Sequence, residues 1–120
     1  VDDDPNLIFH LAIASEWMAA LESGTPYSRS TLGQSVEEIG FMHCSTRRQV
    51  RGVADAFYRG RNDVMLLIID VTKVDAEIRR ENLDGGSEMF PHIYGFLPLD
   101  AVVSAEAIRL GPDGALELGF

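Results

Sequence analysis

The chain has little cysteine, tryptophan or lysine: one residue of each among 120. A single cysteine, Cys44, excludes an internal disulfide, so the fold has to rest on a packed core. No apolar run is long enough to cross a bilayer as a helix. The first residues, Val1-Asp2-Asp3-Asp4-Pro5, lack the basic and apolar regions of a signal peptide. A cytoplasmic location and a disordered tail over residues 1–5 are the resulting expectations. Repeats, low-complexity stretches and linkers are missing too, which leaves one domain over residues 1–120 with 46% apolar content. Bases are outnumbered, 10 against 19 acids, for a net charge of −9. That charge disfavours long nucleic acids, whose binding depends on neutralised phosphates. It leaves room for a small nucleotide-like ligand. Nine of the ten bases are arginines, whose forked guanidinium groups bind phosphate or carboxylate through two parallel bonds.

Apolar periodicity predicts an α+β domain with small, mainly antiparallel sheets and two principal helices. Asn6 to Ala12 reads as a first strand, with His10 on the same face as Ile8 and Ala12. Ser15 is placed to cap a helix that passes Trp17 and Leu21 and ends at Gly24. Thr25 to Gly33 reads as an exposed loop, and Ser35-x-x-Glu38 as a capping box for one short turn. Ile39 to Cys44 forms a second strand. Ser45 is then the expected N-cap of the clearest helix, Thr46 to Arg59, with Val50, Val53, Ala54, Phe57 and Tyr58 at helical spacing. Val64 to Val71 reads as a strand buried on both faces. Val74 to Asn82 suits a short strand or a helical turn, and Leu83 to Met89, with Gly85-Gly86, a mobile loop. Ile93 to Val103 is expected to hold a short strand and a helical turn. Ala105–Leu110 and Ala115–Leu118 read as a terminal hairpin.

The three histidines stand in short motifs that interrupt apolar segments: Phe9-His10-Leu11, Met42-His43-Cys44-Ser45 and Phe90-Pro91-His92-Ile93-Tyr94-Gly95. An imidazole in such a setting costs desolvation unless its nitrogens find partners. The repetition suggests one shared site as much as three separately satisfied histidines. His43 and Cys44 alternate in direction along a strand, so they do not form a nucleophile pair, and a small buried cysteine is the simpler reading. His92 and Tyr94 share a face at period two, which suits either a ribose hydroxyl or a structural clamp. The histidine spacings match no metal-ligand signature. Arg47, Arg48 and Arg51 fall in the first turns of the second long helix, where cations oppose the helix dipole. Carboxylates such as Glu37, Glu38 or Asp55 would offset them, or else a bound phosphate would.

These motifs, with Trp17, Gln49, Phe57-Tyr58, Leu66-Leu67-Ile68-Ile69-Asp70 and Glu81, are jointly similar to the domain of unknown function 952 family. The likeness spans Leu7 to about Val103. It implies a distant kinship with the ADP-ribosyltransferase fold, a split pair of small antiparallel sheets with NAD in the cleft between them. By that kinship His10 takes the place of the strand residue that holds NAD. His43-Cys44-Ser45 takes the second motif and Phe90-Pro91-His92-Ile93-Tyr94 the third. Leu11 stands where a glycine is usual, and the third motif carries no glutamate of its own. Glu81 and Glu88 lie nearby, neither assigned.

The resemblance therefore implies an NAD or ADP-ribose site with His10, His43 and His92 as catalytic residues. Ser45, Arg48, Gln49, Tyr94 and Glu81 would bind the ligand, and the chemistry would be ADP-ribosyl or 2′-phosphate transfer. The alternative is a non-catalytic module whose histidines are structural or face a protein partner. A hydrolytic or metal-dependent activity is a third reading.

Overall fold

The computed structural model describes residues 4–30, 34–83 and 86–120. The expectations for residues 1–3 of the tail, for 31–33 of the first loop and for Gly85 lie outside these residues. Asp4 and Pro5 are exposed, and a turn joins them to the first strand through the Leu7 N–H, which donates to the Asp4 carbonyl at 3.1 Å.

The strands assemble into two three-stranded antiparallel sheets and a small hairpin. In the first sheet β3 (Val64–Asp70) lies between β1 (Leu7–Ile13) and β6 (Val102–Ala107), with Leu67 opposite His10 on one side and Ala105 on the other. In the second, β5 (Phe90–Tyr94) lies between β2 (Met42–His43) and β4 (Glu77–Glu81). The hairpin pairs β7 (Arg109–Leu110) with β8 (Leu116–Glu117). The radius of gyration, 13.4 Å, is close to the ~13.6 Å of a single compact domain of this length.

The near-continuous apolar run of β3 follows from what covers it. Alternation sends Leu67 and Ile69 to one face with Ile8 and Ala12 of β1, against Met42 and Ile93 of the second sheet and Trp17 of α1 (Ala14–Ser23). It sends Val64 and Leu66 to the other face with Phe9 and Leu11, against Val50, Val53 and Ala54 of α3 (Arg47–Phe57). Strands β1 and β3 are thus covered on both faces, as the sequence predicts for β3, while the edge strand β6 is mostly exposed. At its end β1 turns directly into α1.

Several boundaries differ from those predicted. Helix α1 begins at Ala14, whose N–H donates to the Asp63 carbonyl at 2.8 Å, so Ser15 lies inside the first turn and is not the N-cap. Gly24 ends it in the left-handed region, at φ 67°. The Ser35/Glu38 capping box is present, and it opens a four-residue helix, α2 (Val36–Ile39), stopped by Gly40 at φ 99°. Ile39 is thereby helical, and β2 shrinks to two residues. Thr46, not Ser45, is the N-cap of α3: the Gln49 carboxamide accepts from the Thr46 N–H at 3.0 Å while the Gln49 N–H donates to the Thr46 carbonyl at 3.1 Å. The segment expected as half of a terminal hairpin divides at Ile108. Its first part joins the first sheet, and only Arg109–Leu110 pairs with β8.

The two sheets meet where β1 passes the end of β2. Phe9 and Ser45 exchange both backbone hydrogen bonds, at 2.8 and 2.7 Å, and the Cys44 N–H donates to the Pro91 carbonyl at 3.0 Å. The last residue of the Phe-Pro-His-x-Tyr-Gly motif has a steric reason: a Cβ on Gly95 would fall 2.7 Å from the Cβ of Ala76.

Leu67 is fully buried at the centre of β3. Its replacement by alanine should cost about 2–5 kcal/mol. Urea unfolding should show a lower midpoint with an unchanged slope, and an unchanged midpoint would place the core elsewhere.

Candidate functional site

Alternation along β5 separates the chemistry from the core. Ile93 and, across the pair, Met42 turn inward and are fully buried. Phe90, His92 and Tyr94 point to the other face, with His43 directly opposite His92. Strand β4 adds Glu81, opposite Phe90, and Arg79, opposite His92. Side chains diagonal to one another on a face lie within reach, and this register brings Glu81 to His92.

The result is a hydrogen-bonded chain. His92 Nδ1 lies 3.0 Å from Glu81 Oε1, and His92 Nε2 lies 3.3 Å from His43 Nδ1. With the carboxylate accepting from Nδ1–H, His92 Nε2 carries the lone pair and accepts from His43 Nδ1–H. The Tyr94 hydroxyl donates to the same Glu81 oxygen at 2.5 Å. Its bond and that of His92 hold the Glu81 carboxyl below the usual carboxylate range, while the Tyr94 phenol is pushed up by the carboxylate it serves. Both bonds fall on Oε1. Among the described residues Oε2 receives none, which leaves it for another donor.

Aromatic rings frame this chain. Phe41 stacks on His92 with centroids 4.2 Å apart and also touches Tyr94 at 5.5 Å, while Phe90 lies 5.2 Å from His43. Phe41, His43, Glu81, Leu83, Phe90 and His92 enclose a mainly apolar cleft of about 190 Å³. A water molecule occupies ~30 Å³ of liquid, so the cleft has room for one ring system. A longer ligand has to continue over the surface. Gln49 does not line the cleft; its Nε2 donates to the carbonyl of Met89, the residue before Phe90, at 2.7 Å.

His10 has a different place. It is 2% exposed. Its Nδ1 lies 2.7 Å from the His43 carbonyl, so Nδ1–H donates, and Nε2, at 3.0 Å, accepts from the Tyr27 hydroxyl. Burial pushes its pKa down to about 4, against a smaller opposing effect of the backbone hydrogen bond. Both ring nitrogens are therefore engaged inside the fold, and His10 fastens the backbone of His43 from below. Tyr27, in the segment expected to be an exposed loop, is 1% exposed and packs edge-on against His10 and Trp17. Burial raises its phenol well above the ordinary range.

Not every predicted residue joins the cleft. Ser45 is 2% exposed and its backbone is used by Phe9. Arg48 lines a separate recess with Arg47, Arg51 and Phe120. Cys44 is buried in the core and its thiol is pushed up by that burial, consistent with a packing role. Among the described residues no group of three or more His, Cys, Asp or Glu side chains is arranged to hold a metal. No described helix is long and apolar enough to cross a membrane. Phe41 and Tyr27 were not predicted as site residues. Phe41 was within reach of the alternation argument, two residues before His43. Tyr27 offered only the weaker signal of an aromatic in a polar loop.

Residues 11–105 match the family described as protein of unknown function (DUF952). The chain belongs to this family. The DUF952 chain is also similar to solved structures of CC0527 from Caulobacter crescentus. The crystal structure has a TM-score of 0.80 at 27% identity, covering 94% of this chain and 95% of that one. A crystal structure of a double methionine variant gives the same values, a TM-score of 0.80 at 27% identity. The solution structure gives 0.75 at 29%, covering 95% of this chain and 94% of that one. No curated protein matches the chain. The likeness to CC0527 supports the single α+β domain with small antiparallel sheets.

The state of His10 is measurable. A histidine whose folded pKa of about 4 lies below its unfolded value of about 6.5 binds more protons when unfolded. Its contribution to stability is complete above pH 6.5 and is lost as the pH falls towards 4. Over that window the native chain should lose about 1.4 kcal/mol per pH unit from this group. Imidazole NMR signals of His10 should keep their neutral positions down to pH 5, and titration near pH 6.5 would contradict the assignment.

Proposed function

We propose that the cleft takes the ring end of an NAD- or ADP-ribose-type nucleotide, and that the chain is an ADP-ribosyltransferase-like enzyme. The observation that carries this reading is the position of Glu81. The third motif has no glutamate in its own sequence, yet strand pairing delivers one beside His92 and Tyr94, with Oε2 available to a ribose hydroxyl. Two further features support it. The cleft of about 190 Å³ has Phe41 and Phe90 among its lining residues, and two separate small antiparallel sheets are compatible with a split-sheet fold.

NAD would supply an electrophilic ribose carbon. Glu81 would accept from the ribose and lie against positive charge developing there, where a fixed carboxylate acts at little reorganisation cost. Attack by the acceptor on that carbon would break its bond to nicotinamide, which leaves, and the acceptor's proton would go to His43, with His92 holding the ionised Glu81 in place. Tyr94 would orient the carboxylate, and His10 would position His43 through its carbonyl. An acid at the centre of the site favours ribosyl transfer over 2′-phosphate transfer, where basic groups do the work. The acidic net charge points to a small acceptor or a protein side chain.

One observation favours a non-catalytic reading as well: both ring nitrogens of His10 and of His92 already have protein partners, as in a structural clamp. Titration of labelled protein with NAD, followed through the histidine and backbone amide signals, separates the two. Site binding should move His43, His92 and the Glu81 and Phe90 amides together. Glu81→Gln should weaken that response at least tenfold with the fold retained. Silence of all these signals at millimolar NAD would favour the clamp.

A further inference from the structure

The arginine cluster of α3 is not absorbed by the histidine cleft. Carboxylates were one expected counterbalance for Arg47, Arg48 and Arg51, and the structure does not supply them to two of the three. Glu38 is turned back to cap α2 at the Ser35 N–H. Asp55, one turn beyond Arg51, makes no ion pair with it. Among the described residues Arg47 and Arg51 have no carboxylate partner, whereas Arg29, Arg61, Arg79 and Arg109 each pair with one, Glu16, Asp63, Glu77 and Glu117. The first turn of α3 has no acid either.

The three arginines and Phe120 line a shallow recess of about 430 Å³. Arg47 lies over the Phe120 ring with its guanidinium 4.4 Å from the centroid, and Phe120 in turn packs edge-on against Phe9 at 5.9 Å. One guanidinium is thus steadied by an aromatic face anchored to the core. Positions 47, 48 and 51 are one turn apart or less, so three cations crowd one patch of an otherwise acidic surface. Arg47 and Arg51, four positions apart and without a carboxylate partner among the described residues, repel each other in the absence of an anion and oppose the helix dipole as well.

We propose that this recess is an anion site for a compact polyphosphate group, such as the pyrophosphate of a nucleotide, independent of the histidine cleft. Guanidinium forks match phosphate oxygens in pairs. The compact charge suits a patch of three arginines, whereas a long polyanion would meet the chain's net negative charge.

Inorganic pyrophosphate is the direct probe, titrated by calorimetry at low and at physiological salt, with sulfate for comparison. The expected result is saturable binding that weakens as salt rises and favours pyrophosphate over sulfate. The Arg47→Gln/Arg51→Gln double variant should lose at least tenfold in affinity, and Arg109→Gln, which removes a cation of the terminal hairpin that does not line the recess, should bind as the native chain does. No saturable binding, or equal binding by the double variant, would overturn the proposal. Thermal unfolding of the double variant checks that it is folded. Pyrophosphate carries no ring to enter the cleft, whose lining shares no residue with the recess, so failure here and failure of the NAD reading are distinguishable.

Discussion

The structure depends on the join between its two sheets. Neither shares a strand with the other, so beyond their shared apolar core their relation rests on the exchange of backbone bonds between Phe9 and Ser45 and on the buried imidazole of His10 beneath it. A polar ring in a core is costly unless satisfied. Here the Tyr27 hydroxyl and the His43 carbonyl satisfy it completely, and the tautomer follows from that arrangement. The same residue that resembles a ligand-holding histidine in sequence is, in the fold, the fastener that sets where β2 lies. His43 inherits its position from that fastener.

Much of the architecture was legible from alternation and capping. The double-faced burial of β3, the terminal glycine of α1 and the capping box at Ser35 follow from local rules that the core does not override. The misplaced features have local causes too. Thr46 and Ser45 are both good caps, and the choice between them turned on the reciprocal bond from Gln49, which is visible three residues on. Ile39 was drawn into a strand because its apolar character fits either element, and the length of α2 decided the matter.

The site was legible only in part, for a physical reason. His92 and Tyr94 share a face by period-two arithmetic, and His43 joins them through the register of β2 on β5. Glu81 arrives through the register of β4 on β5, which no spacing in the chain encodes, and so its partnership with His92 could not be read. The reverse holds for Arg48, which lies near the histidine motif in sequence but lines the recess at Phe120, while Ser45 is buried beside His10 and His43 and does not line the cleft. His10 shows the limit most clearly: the strand face was right, but the face is the interior.

Strand β4 forms one edge of the second sheet and carries four charged residues in its five, Glu77, Arg79, Arg80 and Glu81. Charge on an exposed edge discourages pairing with a neighbouring chain. The strand that supplies the acid is thus also the one that keeps the sheet solitary, and its place is held from one side only. A molecule that bridged Glu81 and His92 would act as a second seam along that border, so that occupancy of the cleft and order of the edge would rise together.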